Sequence, residues 1–323
     1  MKAWFSTWLA ALLVAFGASA PQGAAAADQP YPSRVVRLVL PFPSGGPSDL
    51  AARAFARSLE RQVGQPVVVD NRPGANGIIA ARLAASSTPD GYTLLWATSS
   101  TLAQLRLQSG AAAPSFVPVT AIGKFAFGMF VSPAVKADTV ADFVTYARAH
   151  PGSLNVATST LSEYKAAVQF MKATGIDMVR VPYKGSSQAL PDLMQDRVQV
   201  NFLPVAAGLQ YARAGKLKML ATLQGKRIDA MPDTPTMAET GYAGLTPPGW
   251  QLLLAPPNTP RALADRIAGL AARALQEPEL RGLYASQLLD VDSAGPDALA
   301  ALMKDEARGW EQFFREHDVK DVN

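Results

Sequence analysis

The chain contains no cysteine and only two histidines, His150 and His317, among its 323 residues. The lack of cysteine excludes a disulfide framework, a thiolate metal site and a cysteine nucleophile. Neither histidine follows a predicted strand, so both are expected to be helix-end or surface residues and not catalytic bases. The patterns GxSxG and HExxH are also missing. The sequence therefore gives no basis for a hydrolase or a metal centre.

Charged residues are scarce as well. Asp, Glu, Lys and Arg make up 17% of the chain, and the formal net charge is only +4, with the basic residues scattered. Without a basic run, a nucleic-acid partner is not expected. Apolar residues amount to 49%, which excludes disorder, and a chain of this length favours two domains.

Beyond its first residues, the chain has no apolar run of membrane-spanning length. The N-terminus combines Lys2 with a short apolar stretch, WLAALLVAF, and a run of small residues. This pattern predicts a secretory signal peptide over residues 1–27, cleaved near Ala26 or Ala27. A membrane anchor is the alternative, which the shortness of the apolar stretch disfavours.

Apolar strands and amphipathic helices alternate along the rest of the chain. This βαβ rhythm predicts an α/β protein with mostly parallel sheets flanked by helices. We expect residues 28–126 and 250–323 to form domain 1 and residues 127–249 to form domain 2. The aromatic stripe of the last helix, which includes Trp310 and Phe313, is expected to pack in the core.

The predicted strands end in loops of small residues, namely PFPSGGPSD, RPGANG, ATSST, ATSTLS and PYKGSS. Ligands of open α/β sheets bind beyond the carboxyl ends of the strands. Loops of this kind present hydroxyls and backbone N–H groups, which suit a small anion. The first loop lacks the Lys-Ser/Thr of a P-loop and is not GxGxxG, so no nucleotide and no other cofactor is predicted.

Three residues of these loops have two interpretations each. Ser48 is a candidate N-cap or a ligand donor, and Asp49 either contacts a ligand or stabilises a helix N-terminus by its charge. Lys184 either pairs with a distal ligand carboxylate or is a solvated loop lysine.

Six segments of the chain match one family in order. They are YPSRVVRLVLPFPSGGPSDLAARAF, GQPVVVDNRPGANGIIAA, PDGYTLLWATSST, VPYKGSSQALPDLMQDRVQV, RAGKLKMLAT and MPDTPTMAETGY. The sequence thereby resembles the Bug receptors, the TctC-like extracytoplasmic solute-binding proteins of tripartite tricarboxylate transporters. The resemblance implies a periplasmic, two-domain Venus-flytrap protein of type II. It also implies a small carboxylate ligand, a monomer and a membrane permease as partner.

The resemblance also implies the ligand-binding residues, since family members hold a ligand carboxylate with small residues and backbone N–H groups of both domains. In this sequence the matching positions are Phe42, Ser44, Ser48, Asp49, Ala75, Asn76, Thr98, Ser99, Thr158, Ser159, Tyr183, Lys184, Gly185 and Leu203.

The sequence departs from the family pattern in the second domain. The loop TSTLSEYKAA lacks the glycines and the histidine of the usual SSGxGSSxHL, and Leu203 replaces a frequent Asp or Asn. The segment from Leu102 to Pro118 is also shorter than usual. A leucine in place of an acid disfavours an amine-bearing ligand, so we expect a small carboxylate with a less polar distal part.

The expected function is ligand capture by closure of the two domains and delivery to the permease. A periplasmic sensor that presents its ligand to a membrane histidine kinase is the alternative. An enzyme on the same fold is not expected, because no nucleophile–base pair or metal constellation is present.

Overall fold

Strands and helices alternate along the chain in the computed structural model, which describes residues 31–245 and 249–317. The strands are β1 (Val36–Leu40), β2 (Val67–Asn71), β3 (Thr93–Thr98), β4 (Val117–Phe125), β5 (Phe127–Val131), β6 (Asn155–Thr158), β7 (Val179–Pro182), β8 (Val200–Pro204), β9 (Lys218–Thr222), β10 (Trp250–Ala255) and β11 (Leu289–Val291). The helices are α1 (Pro47–Val63), α2 (Ile78–Ala85), α3 (Ser99–Ser109), α4 (Val140–Ala149), α5 (Leu161–Thr174), α6 (Ser186–Met194), α7 (Val205–Arg213), α8 (Arg261–Leu275), α9 (Pro278–Ser286) and α10 (Pro296–Glu316).

The strands form two sheets, both within the compact unit that begins at Arg34. A six-stranded sheet has the order β11-β4-β10-β3-β1-β2 and, with α1–α3 and α8–α10, forms the first lobe. A five-stranded sheet has the order β7-β6-β8-β5-β9 and, with α4–α7, forms the second lobe. The predicted two-domain α/β fold is confirmed. The proposed domain boundaries stay a prediction, as does the signal peptide, which lies outside the described residues.

Both sheets are mixed. The pairs of β1 with β2 and β3, and of β6 with β7 and β8, are parallel, as the βαβ rhythm predicts. The strands β10 and β5, which enter each lobe from the other, run antiparallel to their neighbours. The parallel strands nevertheless bring their carboxyl ends to one edge of each sheet, where the predicted loops lie.

The two lobes are joined within one residue where β4 ends at Phe125 and β5 begins at Phe127. Gly249, which begins the return to the first lobe, packs against this crossing. A Cβ atom on Gly249 would lie 2.7 Å from the carbonyl oxygen of Phe125 and 2.9 Å from the ring of Phe127. The crossing segments therefore need glycine at this position, because both neighbours are fixed by strand pairing.

The helix α1 begins differently from the prediction. Gly46 is the N-cap and Pro47 occupies the first turn, so Ser48 is not the cap. Proline suits this position because it lacks the N–H that would have no partner there. The helix ends at Gly64, whose φ of 67° is the left-handed conformation that glycine adopts readily.

The C-terminal helix α10 packs against both lobes. Trp310 and Phe313 are buried with Ala103 of α3 and Leu161 of α5 in one hydrophobic cluster. The ring of Phe313 also meets that of Tyr164 of α5 edge-on, at 6.5 Å between centroids. The prediction that this aromatic stripe is core packing is confirmed, and the packing extends across the two lobes. No helix among the described residues is both long and apolar enough to span a bilayer.

Candidate functional site

Two adjoining cavities lie between the lobes, where the carboxyl ends of the parallel strands face each other. The first comprises about 540 Å³ and the second about 730 Å³ of space between atoms, part of which is open to solvent. Phe42, Ser100, Ser159 and Thr160 line both cavities, so we treat them as one interlobe cleft.

The lobes contact each other across this cleft. A Cβ atom on Gly185, at the start of α6, would lie 2.8 and 2.9 Å from the Cγ and Cδ atoms of Pro43 in the first loop. Gly46 likewise faces Ser187, at 4.0 Å from its hydroxyl to a Cβ built on the glycine. The absence of a side chain at Gly185 thus allows the two loops to close on each other.

The first loop is held by the buried carboxylate of Asp49. Its Oδ2 accepts hydrogen bonds from the backbone N–H of Gly45 at 2.9 Å and from Arg53 Nε at 3.0 Å. Its Oδ1 accepts from Asn71 Nδ2 at 2.8 Å, and the same Nδ2 donates to the carbonyl of Phe42 at 3.0 Å. Burial alone would raise the pKa of Asp49, but the hydrogen bonds from Arg53, Gly45 and Asn71 together lower it. Asp49 therefore organises the loop and does not line the cleft.

We expect Asp49→Asn to lower the free energy of unfolding by about 1–3 kcal/mol, because a buried network loses its charged acceptor. The amide would also place an NH₂ group against donors such as the N–H of Gly45. Chemical denaturation measures the effect. Asp70→Asn is the matched control, because Asp70 pairs with the exposed Arg72 and its loss should change stability by no more than about 0.5 kcal/mol. Equal losses in the two variants would contradict the assignment.

Hydroxyl groups cluster where β3 meets α3. Thr98 is the N-cap of α3, and its Oγ1 lies 2.9 Å from both Ser100 Oγ and Thr101 Oγ1. Thr98 and Ser100 line the cleft. Ser99 does not, because it occupies the opposite side of the first helical turn and lines a separate cavity beside Trp310.

A buried glutamine extends this polar wall of the first lobe. Gln251 Oε1 accepts from Trp96 Nε1 at 2.9 Å and from Ser48 Oγ at 3.1 Å. All three side chains come from different elements, β10, β3 and α1, so the Gln251 amide fixes the position of the Ser48 hydroxyl in the cleft.

The second lobe contributes a buried carboxylate, that of Glu163 near the start of α5. Its oxygens accept from the N–H of Ser159 at 2.6 Å, from Ser159 Oγ at 2.8 and 2.9 Å, and from Ser186 Oγ at 3.1 Å. Glu163 is only 1% exposed, yet it lines the cleft. Burial raises the pKa of Glu163 to about 7, against the lowering effect of these hydrogen bonds.

The PYKG segment lies at the other end of the cleft. Tyr183 and Lys184 line the second cavity together with Ala75 and Asn76 of the first lobe. The hydroxyl of Tyr183 donates to Asp192 at 2.7 Å. Burial, together with this hydrogen bond, raises the pKa of Tyr183 to about 12, so the phenol stays protonated and can orient the segment.

Most of the predicted ligand-binding residues line the cleft, and some lie away from it. Those that line the cleft are Phe42, Ser48, Ala75, Asn76, Thr98, Ser159, Tyr183, Lys184 and Gly185. Those that do not are Ser44, Asp49, Ser99, Thr158 and Leu203.

These exclusions have physical reasons. Ser44 is exposed on the first loop, and the hydroxyl of Thr158 accepts a hydrogen bond from Arg180 Nε at 2.9 Å. Leu203 is buried in the hydrophobic core of the second lobe with Phe130. The strand β8 continues to Pro204, and it is Pro204 that reaches the cleft.

Several polar residues that line the first cavity were not among the predicted ones. They are Ser100, Thr160, Ser162, Glu163, Ser186, Ser187 and Gln251. A signal for Glu163 is present in the sequence, because Thr160 and Glu163 have the T-x-x-E spacing of a capping box. Thr160 is indeed the N-cap, while Glu163 reaches back to Ser159. Among the described residues, no group of three His, Cys, Asp or Glu side chains is placed to hold a metal ion.

Comparisons with known proteins agree on one family. Residues 51–319 match the model of the tripartite tricarboxylate transporter family receptor, TctC. The chain is 32% identical to protein BugT of Bordetella pertussis over 321 residues, which are 97% of this chain and 98% of BugT.

Solved structures of similar fold agree with this family. A structure described as a periplasmic transporter has a TM-score of 0.85 and 32% identity, over 90% of this chain and 99% of that one. The Rhodopseudomonas palustris protein Rpa4515, solved with adipate, has a TM-score of 0.81 and 29% identity, over 88% and 97%. The matched family model describes a receptor, so the prediction that the chain is not an enzyme is confirmed. With the family model covering most of its length, the chain belongs to the TctC, or Bug, family of tripartite tricarboxylate transporter receptors.

Proposed function

We propose that this receptor captures a small carboxylate in the interlobe cleft, in the periplasm, and delivers it to the membrane permease of a tripartite tricarboxylate transporter. The observation that carries the proposal is the cleft itself, which is lined by small hydroxyl residues from both lobes. The adipate-bound relative supports a carboxylate, and the periplasmic relatives support the location.

The mechanism is closure of the two lobes on the ligand. Hydroxyl and backbone N–H groups hold a carboxylate with short, charge-assisted hydrogen bonds, which strengthen when water is excluded. In the closed arrangement Gly185 packs directly against Pro43 of the opposite lobe. The permease would recognise this closed arrangement, since only in it are the two lobe surfaces held in a fixed relation.

Small-angle scattering with calorimetry tests the proposal. We expect a ligand that gives saturable heat in calorimetry to reduce the radius of gyration of the full chain. Binding without compaction would contradict closure, and the absence of binding by any small carboxylate would contradict the ligand class. Loss of ligand uptake by cells that lack this receptor but retain the neighbouring permease would support the role in transport.

A further inference from the structure

The carboxylate of Glu163 has the surroundings that a bound ligand carboxylate would require. One backbone N–H and two serine hydroxyls converge on it, at distances between 2.6 and 3.1 Å. Among the described residues, no Lys or Arg forms a salt bridge with Glu163. The Glu163 carboxylate thus occupies the hydrogen-bond donors of the second lobe that a ligand carboxylate would otherwise use.

The serine donors are consequently engaged before any ligand arrives. Ser159 and Ser186 both line the cleft, but their hydroxyls are bonded to Glu163. An ionised carboxylate has about four acceptor sites, so three donors leave one site open. That remaining site can accept a hydrogen bond from a ligand, whereas a second carboxylate beside Glu163 would meet a like charge.

The two ends of the cleft differ in charge. Within the described residues, Glu163 is the charged side chain that lines the first cavity and Lys184 the one that lines the second. Ser159 borders both cavities, so a ligand can extend from one to the other. A carboxylate at the Lys184 end is favoured, and a carboxylate at the Glu163 end is not.

Taking these contacts together, we infer that Glu163, when it is ionised, is a specificity-determining residue that excludes dicarboxylates. The receptor binds monocarboxylates, with the carboxylate near Lys184 and, at the other end, a hydrogen-bond donor without negative charge facing Glu163. This inference rests on the proposed function and narrows its ligand class. Selection of this kind works by repulsion of the wrong ligand as much as by attraction of the right one.

Calorimetry at pH 8 on the full chain tests the inference with matched pairs of acids. The pairs are 4-hydroxybutyrate and succinate, 6-hydroxyhexanoate and adipate, and 4-hydroxybenzoate and terephthalate. In at least one pair, we expect the hydroxy acid to bind at least ten times more tightly than the diacid. Glu163→Gln keeps the size of the side chain and one acceptor oxygen. In this variant, we expect the ratio of the two affinities to shift at least tenfold in favour of the diacid.

Lys184→Gln is the matched control. It removes the charge at the opposite end, where both members of a pair place a carboxylate, so it should weaken both and leave their ratio within about twofold. A merely structural role of Glu163 would change both affinities together and would not move the ratio.

The possible failures are distinguishable. If wild type binds a diacid as tightly as its hydroxy acid, or if Glu163→Gln leaves the ratio unchanged, the inference is wrong while the proposed function stands. If none of the six acids binds, the inference is wrong, and calorimetry with a wider set of small carboxylates decides the proposed function.

Discussion

Gly185→Ala is expected to weaken ligand binding by roughly 5- to 150-fold. The added methyl group would lie 2.8 and 2.9 Å from two ring carbons of Pro43, on the opposite lobe. Overpacking of this kind costs about 1–3 kcal/mol. Because the crowded atoms belong to opposite lobes, the cost falls on the closed arrangement and therefore on the free energy of binding. The backbone of Gly185 is extended, with φ of −177°, so alanine introduces no conformational strain of its own. Titration calorimetry with any acid that wild type binds measures the loss.

Two further variants distinguish an effect on lobe closure from a general loss of stability. Gly46→Ala is the matched control, because its Cβ would have no neighbour closer than 3.9 Å, and it should bind nearly as wild type. Pro43→Ala in the Gly185→Ala background removes the two ring carbons and should restore most of the affinity. Wild-type affinity in Gly185→Ala alone would show that the lobes do not need this contact for binding.

The stability of the protein is expected to fall as pH rises from about 4.5 to about 7, by up to about 3 kcal/mol from Glu163 alone. Its pKa in the folded state is raised by burial to about 7 from an ordinary value of 4.5. Between these values the folded chain therefore binds more protons than the unfolded chain. The contribution favours folding at low pH and is lost as pH passes the folded-state pKa.

Chemical denaturation of wild type and Glu163→Gln at pH 5 and pH 8 measures this contribution as a difference. The subtraction is needed because burial also raises the pKa of Glu306, which acts in the same direction. We expect wild type to lose more stability than the variant between the two pH values. Parallel losses would mean that the Glu163 carboxyl titrates normally in the folded protein.

Much of the fold could be predicted from the order of strands, helices and turns. Gly64 and Gly175 end helices α1 and α5 in the left-handed conformation, which is typical of glycine after a helix. The strand β4 was missed, because Pro118 and Gly123 interrupt its apolar pattern. Gly123 is required by tertiary structure, since a Cβ atom there would lie 2.3 Å from the backbone oxygen of Asp290 in β11. Local propensity carries no information about that approach.

The candidate site could be predicted only in part for a related reason. Loop positions taken from the family pattern line the cleft where backbone geometry decides their place, as at Asn76 and Gly185. A predicted position lies away from the cleft where side-chain direction decides, as at Leu203, whose side chain is buried in the core. The T-x-x-E spacing places Glu163 in the first turn of α5, but it does not reveal the contact with Ser186, which is 23 residues away.

The aromatic cluster on α10 has a consequence for observing the protein at work. Trp310 lies against α5, the helix that carries Glu163 into the cleft, and Lys165 Nζ is 4.9 Å from the centre of its ring. Any rotation of the second lobe displaces this ammonium group relative to the indole. The emission of an indole responds to nearby charge, so Trp310 gives the receptor an internal optical reporter of lobe movement, without an attached dye.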